Sequence, residues 1–259
     1  MAEPVLLSDC RVYLGPVDLT STVRSINMSA ATAEQPNSRM GDTVEGMYPG
    51  LVQLNCSVGG FFGAGAGDSD PTIWGRFNGY AAGTPLTFCP PRAPAVTAGA
   101  ALNTCYVACG PQLSYETWGN HGDLLPYTFK TAPETTKLGL YRQTISIPKT
   151  AASAAASVEG SVAQLGVLTS AQKLVVTYHI FAISGGTSVT IELRSDDNAG
   201  KSSPTTRASS GALTPGGGVV SGQFSVNGAI ATDSYWWIFA SPVGAISYTV
   251  FASISLEPL

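Results

Sequence analysis

The sequence predicts an all-β chain, mainly antiparallel β-sandwich or barrel with one or two short helices, in a first lobe at 1–150 and a second β-sandwich lobe at 151–259. Three observations predict it. Apolar and polar residues alternate with period two in several segments, which puts the apolar side chains on one face of a strand. Glycine and proline number 29 and 17 among 259 residues, favouring turns over long helices. Only one segment has convincing helical spacing.

Val52, Leu54, Cys56 and Val58 alternate with Gln53, Asn55 and Ser57. Val189, Ile191 and Leu193 alternate with Thr190, Glu192 and Arg194, and Ile246 to Leu256 repeats the pattern near the end. Each reads as a strand with one buried face, as in antiparallel sheets. Leu174–Ile183 and Tyr235–Ala240 are apolar on both faces, which predicts central strands or strands against a second subunit. Asp70-Pro71 supplies an N-cap and a first-turn proline. Ile73, Trp74 and Phe77 follow at helical spacing, and Gly79 ends the turn. Thr150–Ser157 is Ala-rich and reads as a second short helix or as the joint between lobes. Ala30–Gly50 and Cys89–Asn103 read as loops longer than a hairpin needs, a length that points to partner contact.

Composition narrows the function. Charged residues make up 12% and hydrophobic ones 44%, and mean hydropathy is +0.16. Such a chain has apolar surface enough to fold and suits burial against partners. The net charge of −4 is spread along the chain without a basic patch, so a phosphate-gripping nucleic-acid binder is not expected. No run of about 18 apolar residues occurs, so no membrane-spanning helix is expected. The opening Met-Ala-Glu-Pro lacks the basic and apolar stretches of a secretory signal. Cys10, Cys56, Cys89, Cys105 and Cys109 are therefore expected as reduced thiols, with Cys105–Cys109 the pairing to consider.

Catalytic chemistry finds little footing. His179 sits inside an apolar strand, where a hydrogen-bonded sheet residue is expected rather than a base. His121 lies in the turn-like Gly119-Asn120-His121-Gly122-Asp123, and no Gly-x-Ser-x-Gly elbow offers it a nucleophile. Cys105-x-x-x-Cys109 lacks the second ligand pair of a zinc site. Asp196-Asp197-Asn198 lacks the alternating oxygens and closing glutamate of a calcium loop and reads as a polar turn. Gly63-Ala64-Gly65-Ala66-Gly67 has neither the glycine spacing nor the downstream acid of a dinucleotide fingerprint. Trp236 and Trp237 are neighbours on a strand and point to opposite faces, so one fills the core while the other is covered or serves as a sugar-stacking platform. No catalytic residue, metal or cofactor is expected, and the chain does not read as an enzyme.

The order of segments from Asp18 to Phe62 is distinctive. Val17-Asp18-Leu19 precedes the strand Ser25–Ser29. Met40-Gly41-Asp42-Thr43 and Tyr48-Pro49-Gly50-Leu51 follow, and the next strand runs into Gly59-Gly60-Phe61-Phe62. This resembles the amino-terminal part of major tail (tail tube) proteins of bacteriophages with long non-contractile tails. Further similar segments are Gly122–Tyr127, Leu165-Gly166, Tyr178–Phe181, Arg194–Asp197, Ser203-Pro204 and Ile230–Trp236. Residues 81–115 depart from the pattern, being longer and richer in Cys and Pro. The same kind of sequence occurs among capsid decoration proteins.

The resemblance implies a tail-tube-like lobe at 1–150 and a virion structural protein. Its copies would form stacked hexameric rings, a conduit through which DNA leaves without being specifically bound. It further implies assembly in the bacterial host cytoplasm, with tail partners such as a terminator and a tape measure. An acidic balance suits such a conduit, since a basic lumen would hold phosphates. In the family, a long loop between early strands often makes contacts between rings. Here that loop is Ser38–Tyr48, and Arg39, Asp42, Glu45, Met47 and Tyr48 are the expected contact residues. The alternatives are a capsid decoration protein and a tail-associated carbohydrate- or host-binding β module using Trp236 or Trp237.

Overall fold

A computed structural model gives the structure of the chain and describes residues 10–36, 47–64, 69–79, 84–91, 97–117, 119–120, 124–131, 140–153, 155–215 and 220–259. Its elements in chain order begin with β1 (Arg11–Leu14), β2 (Val17–Asp18), β3 (Val23–Pro36), β4 (Met47–Phe61), α1 (Ser69–Gly79), β5 (Pro85–Cys89) and β6 (Thr104–Cys109). There follow β7 (Gln112–Glu116), β8 (Pro126–Thr131), β9 (Leu140–Ala152), β10 (Val158–Glu159), β11 (Ala163–Gln164) and β12 (Gln172–Gly185). The last are β13 (Ser188–Asp196), β14 (Thr205–Leu213), β15 (Val220–Asn227), β16 (Tyr235–Val243) and β17 (Ile246–Pro258). The all-β prediction holds, and every strand pairing with a determined register is antiparallel.

The chain forms two compact units that interleave in sequence, and the boundary does not fall at 150. One unit comprises residues 1–21, 83–108 and 141–259, the other 22–82 and 109–140. Strand β9 passes through Thr150 without a break, so Thr150–Ala152 close a strand rather than form a helix or a joint.

The larger unit is a sandwich. Its first sheet has the order β15-β12-β17-β9-β6-β5-β1-β2, and its second β10-β16-β13-β14, with β11 also on β16. The alternating residues predicted for β13 and β17 fill the space between: Val189, Ile191 and Leu193 face Val250, Ala252 and Ile254 within one buried cluster that includes Trp236. Removing such side chains from water stabilises by about 1.5–3 kcal/mol each. The chain crosses between sheets at β12–β13 and at β16–β17, and both corners need backbone that L-residues avoid. Gly185, Gly186 and Gly244 have φ of 68°, 55° and 77°, and a Cβ on Gly186 would stand 2.6 Å from the Ile246 nitrogen.

Both faces of β12 are buried, as its two-faced apolar sequence requires, and β12 lies between β15 and β17. Leu174, Val176 and Ile180 enter the sandwich core. On the opposite face Val175 joins a second cluster with Tyr13, Cys89, Cys105, Val107, Tyr141, Ile145 and Phe251. These come from β1, β5, β6, β9 and β17, so the eight-stranded sheet curls until its distant strands pack on its own centre.

The smaller unit is a four-stranded sheet of order β3-β4-β8-β7 with α1 against β7. The helix is where the sequence placed it, but Asp70 lies inside its first turn rather than ahead of it, where its carboxylate accepts the Tyr115 hydroxyl at 2.6 Å. Ile73 is fully buried while Trp74 is 53% exposed: a short helix on a sheet edge buries one narrow stripe, and adjacent residues cannot share it.

Candidate functional site

The feature that sets the smaller unit apart is its first hairpin. Residues Ala30–Gly50, expected as loop, are largely strand: β3 and β4 stay in register from Val23↔Gly60 to Pro36↔Met47, with bulges at Val23/Ser25 and Thr32/Glu34. At about 3.4 Å per residue, β3 spans about 45 Å. Strand β8 supports β4 only from Cys56 to Phe61. Beyond that, residues 29–36 and 47–55 form a two-stranded ribbon with no third strand among the described residues.

A two-stranded ribbon is marginal in water, and this one carries few of the usual protections. Edge strands are normally blunted by lysines or inward charges. Along residues 29–36 and 47–55 the single charged residue is Glu34. Ser29, Ala30, Ala31 and Asn55 are exposed. Strand β3 is the edge of its sheet, so its outer backbone groups form a long template for another strand, charged only at Arg24 and Glu34.

Of the expected contact residues, Met47 and Tyr48 open β4, opposite Pro36 and Gln35. Arg39, Asp42 and Glu45 lie outside the described residues, as do His121 and Asp123. The strand therefore includes part of what the sequence assigned to the contact loop.

The remaining candidates are structural. His179 is fully buried, with Nδ1 2.6 Å from the Gly15 carbonyl oxygen and Nε2 2.7 Å from Thr87 Oγ1. A carbonyl only accepts, so Nδ1 carries a proton and donates to Gly15, while Nε2 shares a hydrogen bond with the Thr87 hydroxyl. Trp236 and Trp237 are both fully buried, so neither is the exposed platform that a sugar-binding role would need. Trp236 donates to the Gly166 carbonyl at 2.8 Å. The Trp237 ring lies under the Lys201 ammonium at 5.1 Å. The Asp196 turn is held by its own hydrogen bonds, Ser203 N to Asp196 Oδ2 at 2.8 Å among them. No cluster of three or more His, Cys, Asp or Glu side chains suited to a metal occurs among the described residues. No disulfide bond joins the five cysteines among the described residues. Cys105 and Cys109 lie four positions apart on one strand, about 13 Å by strand rise, beyond disulfide reach.

Two features escaped the sequence reading. Arg207, Ser195 and Asp233 form a hydrogen-bonded triangle on the second sheet, from residues that no motif links. Trp74, Leu113 and Leu124 are exposed at 53%, 60% and 69%. Their exposure follows from the short helix and edge strand that carry Trp74 and Leu113.

No family model matches the chain, and the search of curated proteins finds no match. Among solved structures the chain is similar to the Dit protein (gp 19.1) of SPP1, described as a paradigm of the hub adsorption apparatus in phages that infect Gram-positive hosts. The two share 11% identity over 95% of this chain and 99% of that one, with a TM-score of 0.34. A TM-score of that size is too low to equate the two folds.

Proposed function

We propose that this chain is a virion structural protein, the tube subunit of a long non-contractile phage tail, whose copies join through sheet edges into stacked hexameric rings. Its role is mechanical: a closed wall through which DNA passes unbound. The observation that carries the reading is the β3–β4 ribbon, long, nearly uncharged and unsupported beyond Cys56. Pairing such edges between copies removes them from solvent, and closure leaves none exposed. The tail-tube-like order of segments from Asp18 to Phe62 and the low overall charge support the same reading, in which the chain is not an enzyme.

Negative-stain electron microscopy of the purified protein over a range of concentrations tests this. Rings or stacked tubes with a central hole are expected. Uniform trimers or monomers that bind undecorated capsids would replace the tube by capsid decoration.

A further inference from the structure

Asparagine is a thermolabile residue. It is most labile where glycine follows, because no side chain then screens the next backbone nitrogen from the asparagine amide carbon. The sequence holds this pair at Asn78-Gly79 and at Asn227-Gly228. Asn78-Gly79 lies within α1, where peptide nitrogens are committed to the helical hydrogen-bond ladder. Asn227-Gly228 is placed differently. Asn227 is the last residue of β15, the outermost strand of the eight-stranded sheet, and both residues are exposed. Gly228 turns the chain at φ 106°, in the region that favours glycine. Apart from its chain neighbours, no heavy atom lies within 4 Å of the point a Cβ on Gly228 would occupy. Nothing packs over the turn on that side.

Other asparagine side chains are held. Asn198 Nδ2 donates to Asp196, Asp197 and Ser202, and its Oδ1 accepts the Gly200 amide at 2.8 Å. Asn103 is buried and donates to the Thr97 carbonyl. The Asn227 side chain makes no hydrogen bond among the described residues, so its amide is free to turn toward the Gly228 nitrogen.

We propose that Asn227 is a site of spontaneous deamidation, which converts it to a mixture of isoaspartate and aspartate. The Gly228 nitrogen, its proton taken by hydroxide, attacks Asn227 Cγ. The new nitrogen–carbon bond forms, the Cγ–Nδ2 bond breaks, and Nδ2 leaves as ammonia after taking a proton from water. Water then opens the succinimide ring at either carbonyl. In sum an amide and water become a carboxylate and ammonium, and nothing is oxidised or reduced. The new carboxylate stands opposite Lys173, the cross-strand partner of Asn227, which pairs with Glu257 on its other side. Lys173 is then shared between two carboxylates. The sheet edge gains a negative charge, which opposes pairing with a further strand.

Peptide mapping by mass spectrometry, on the folded full chain held in mildly alkaline buffer at physiological temperature, tests the proposal. Conversion at Asn227 to products split between isoaspartate and aspartate is expected, well ahead of Asn198. Gly228→Ala slows the conversion severalfold, since its Cβ obstructs the attack. Asn227→Gln abolishes it, and this exposed substitution keeps the test valid if Gly228→Ala misfolds. An Asn227 that stays intact in the folded chain while the urea-unfolded chain deamidates there would overturn the proposal. So would conversion of Asn198 as fast as that of Asn227, or a product at 227 without isoaspartate.

Discussion

Arg207 reaches Asp233 across the second sheet of the larger unit, and both hold Ser195: the guanidinium donates to the Asp233 carboxylate and, through Nε, to Ser195 Oγ at 2.8 Å. The Asp233 side chain is 9% exposed and that of Arg207 26%. Burial raises the Asp233 pKa, but hydrogen bonds from Ser195, Arg207 and Thr232, with the guanidinium charge, outweigh it and hold the carboxyl at about 2 against an ordinary 3.8. The folded chain thus takes up this proton less readily than the unfolded one. The stabilisation is complete above the ordinary value and is lost as pH falls through about 2. Arg207→Ala is expected to cost about 2 kcal/mol at neutral pH, since it strips a largely buried carboxylate of a charged donor. Urea unfolding at a series of pH values checks both: the gap between wild type and variant should narrow as pH falls from 3.8 and close near about 2.

His179 holds the curl of the eight-stranded sheet, because its two nitrogens bind Gly15 and Thr87, residues far away in sequence. His179→Leu leaves a carbonyl and a hydroxyl buried without partners and is expected to cost about 3 kcal/mol. Thr87→Val removes one partner only and should cost less. Chemical unfolding of both variants orders them.

The paired tryptophans separate hydrogen bonding from burial. Trp236 Nε1 bonds Gly166, whereas the Trp237 Nε1 is buried without a partner. Trp236→Phe is therefore expected to destabilise by about 1 kcal/mol more than Trp237→Phe. Thermal melts measure the difference. The intrinsic fluorescence of neither residue should respond to glycans.

Much of this was written locally and some was not. The strands β13 and β17 were legible because alternation is a property of neighbours in sequence, and both faces of β12 were legible because Leu174–Ile183 has no polar side to turn to water. The extension of β3 and β4 was not, since Ala30–Ala33 and Pro49-Gly50 carry loop-like residues and only pairing with each other makes them strand. The interleaved units escaped notice because sheet partners such as Arg11↔Cys89 are joined by long-range pairing. Of the expected contact residues, the structure describes the backbone of Met47 and Tyr48 alone.

Two glycines give opposite predictions. A Cβ on Gly60 would stand 2.7 Å from the Tyr127 ring, with the Thr22 carbonyl pressed against it as well. Gly60→Ala should therefore destabilise the smaller unit by about 2 kcal/mol. Gly75 lies in α1 with nothing within 4 Å of its Cβ position, so Gly75→Ala should stabilise by up to about 1 kcal/mol. Hydrogen exchange of α1 and β8 amides reads both effects.

Native thiol reactivity should be confined. Cys56, Cys89, Cys105 and Cys109 are buried and Cys10 is half-buried. Burial pushes Cys56 up to about 11 despite the Thr131 hydrogen bond, and Cys89 is pushed up by burial and then by Cys105. Thiol titration with an aromatic disulfide at neutral pH should register Cys10 first, and the other four only on unfolding.

The most direct test of edge-driven assembly compares the wild type with Ser29→Lys/Ala31→Lys by light scattering and electron microscopy. Both positions are exposed on the edge strand β3, and lysines there oppose edge pairing without touching a core. Rings or tubes from the wild type, and monomers with an unchanged melting temperature from the variant, are the expected result. Assembly of the variant to the same mass and form as the wild type would contradict a tube built through the β3 edge.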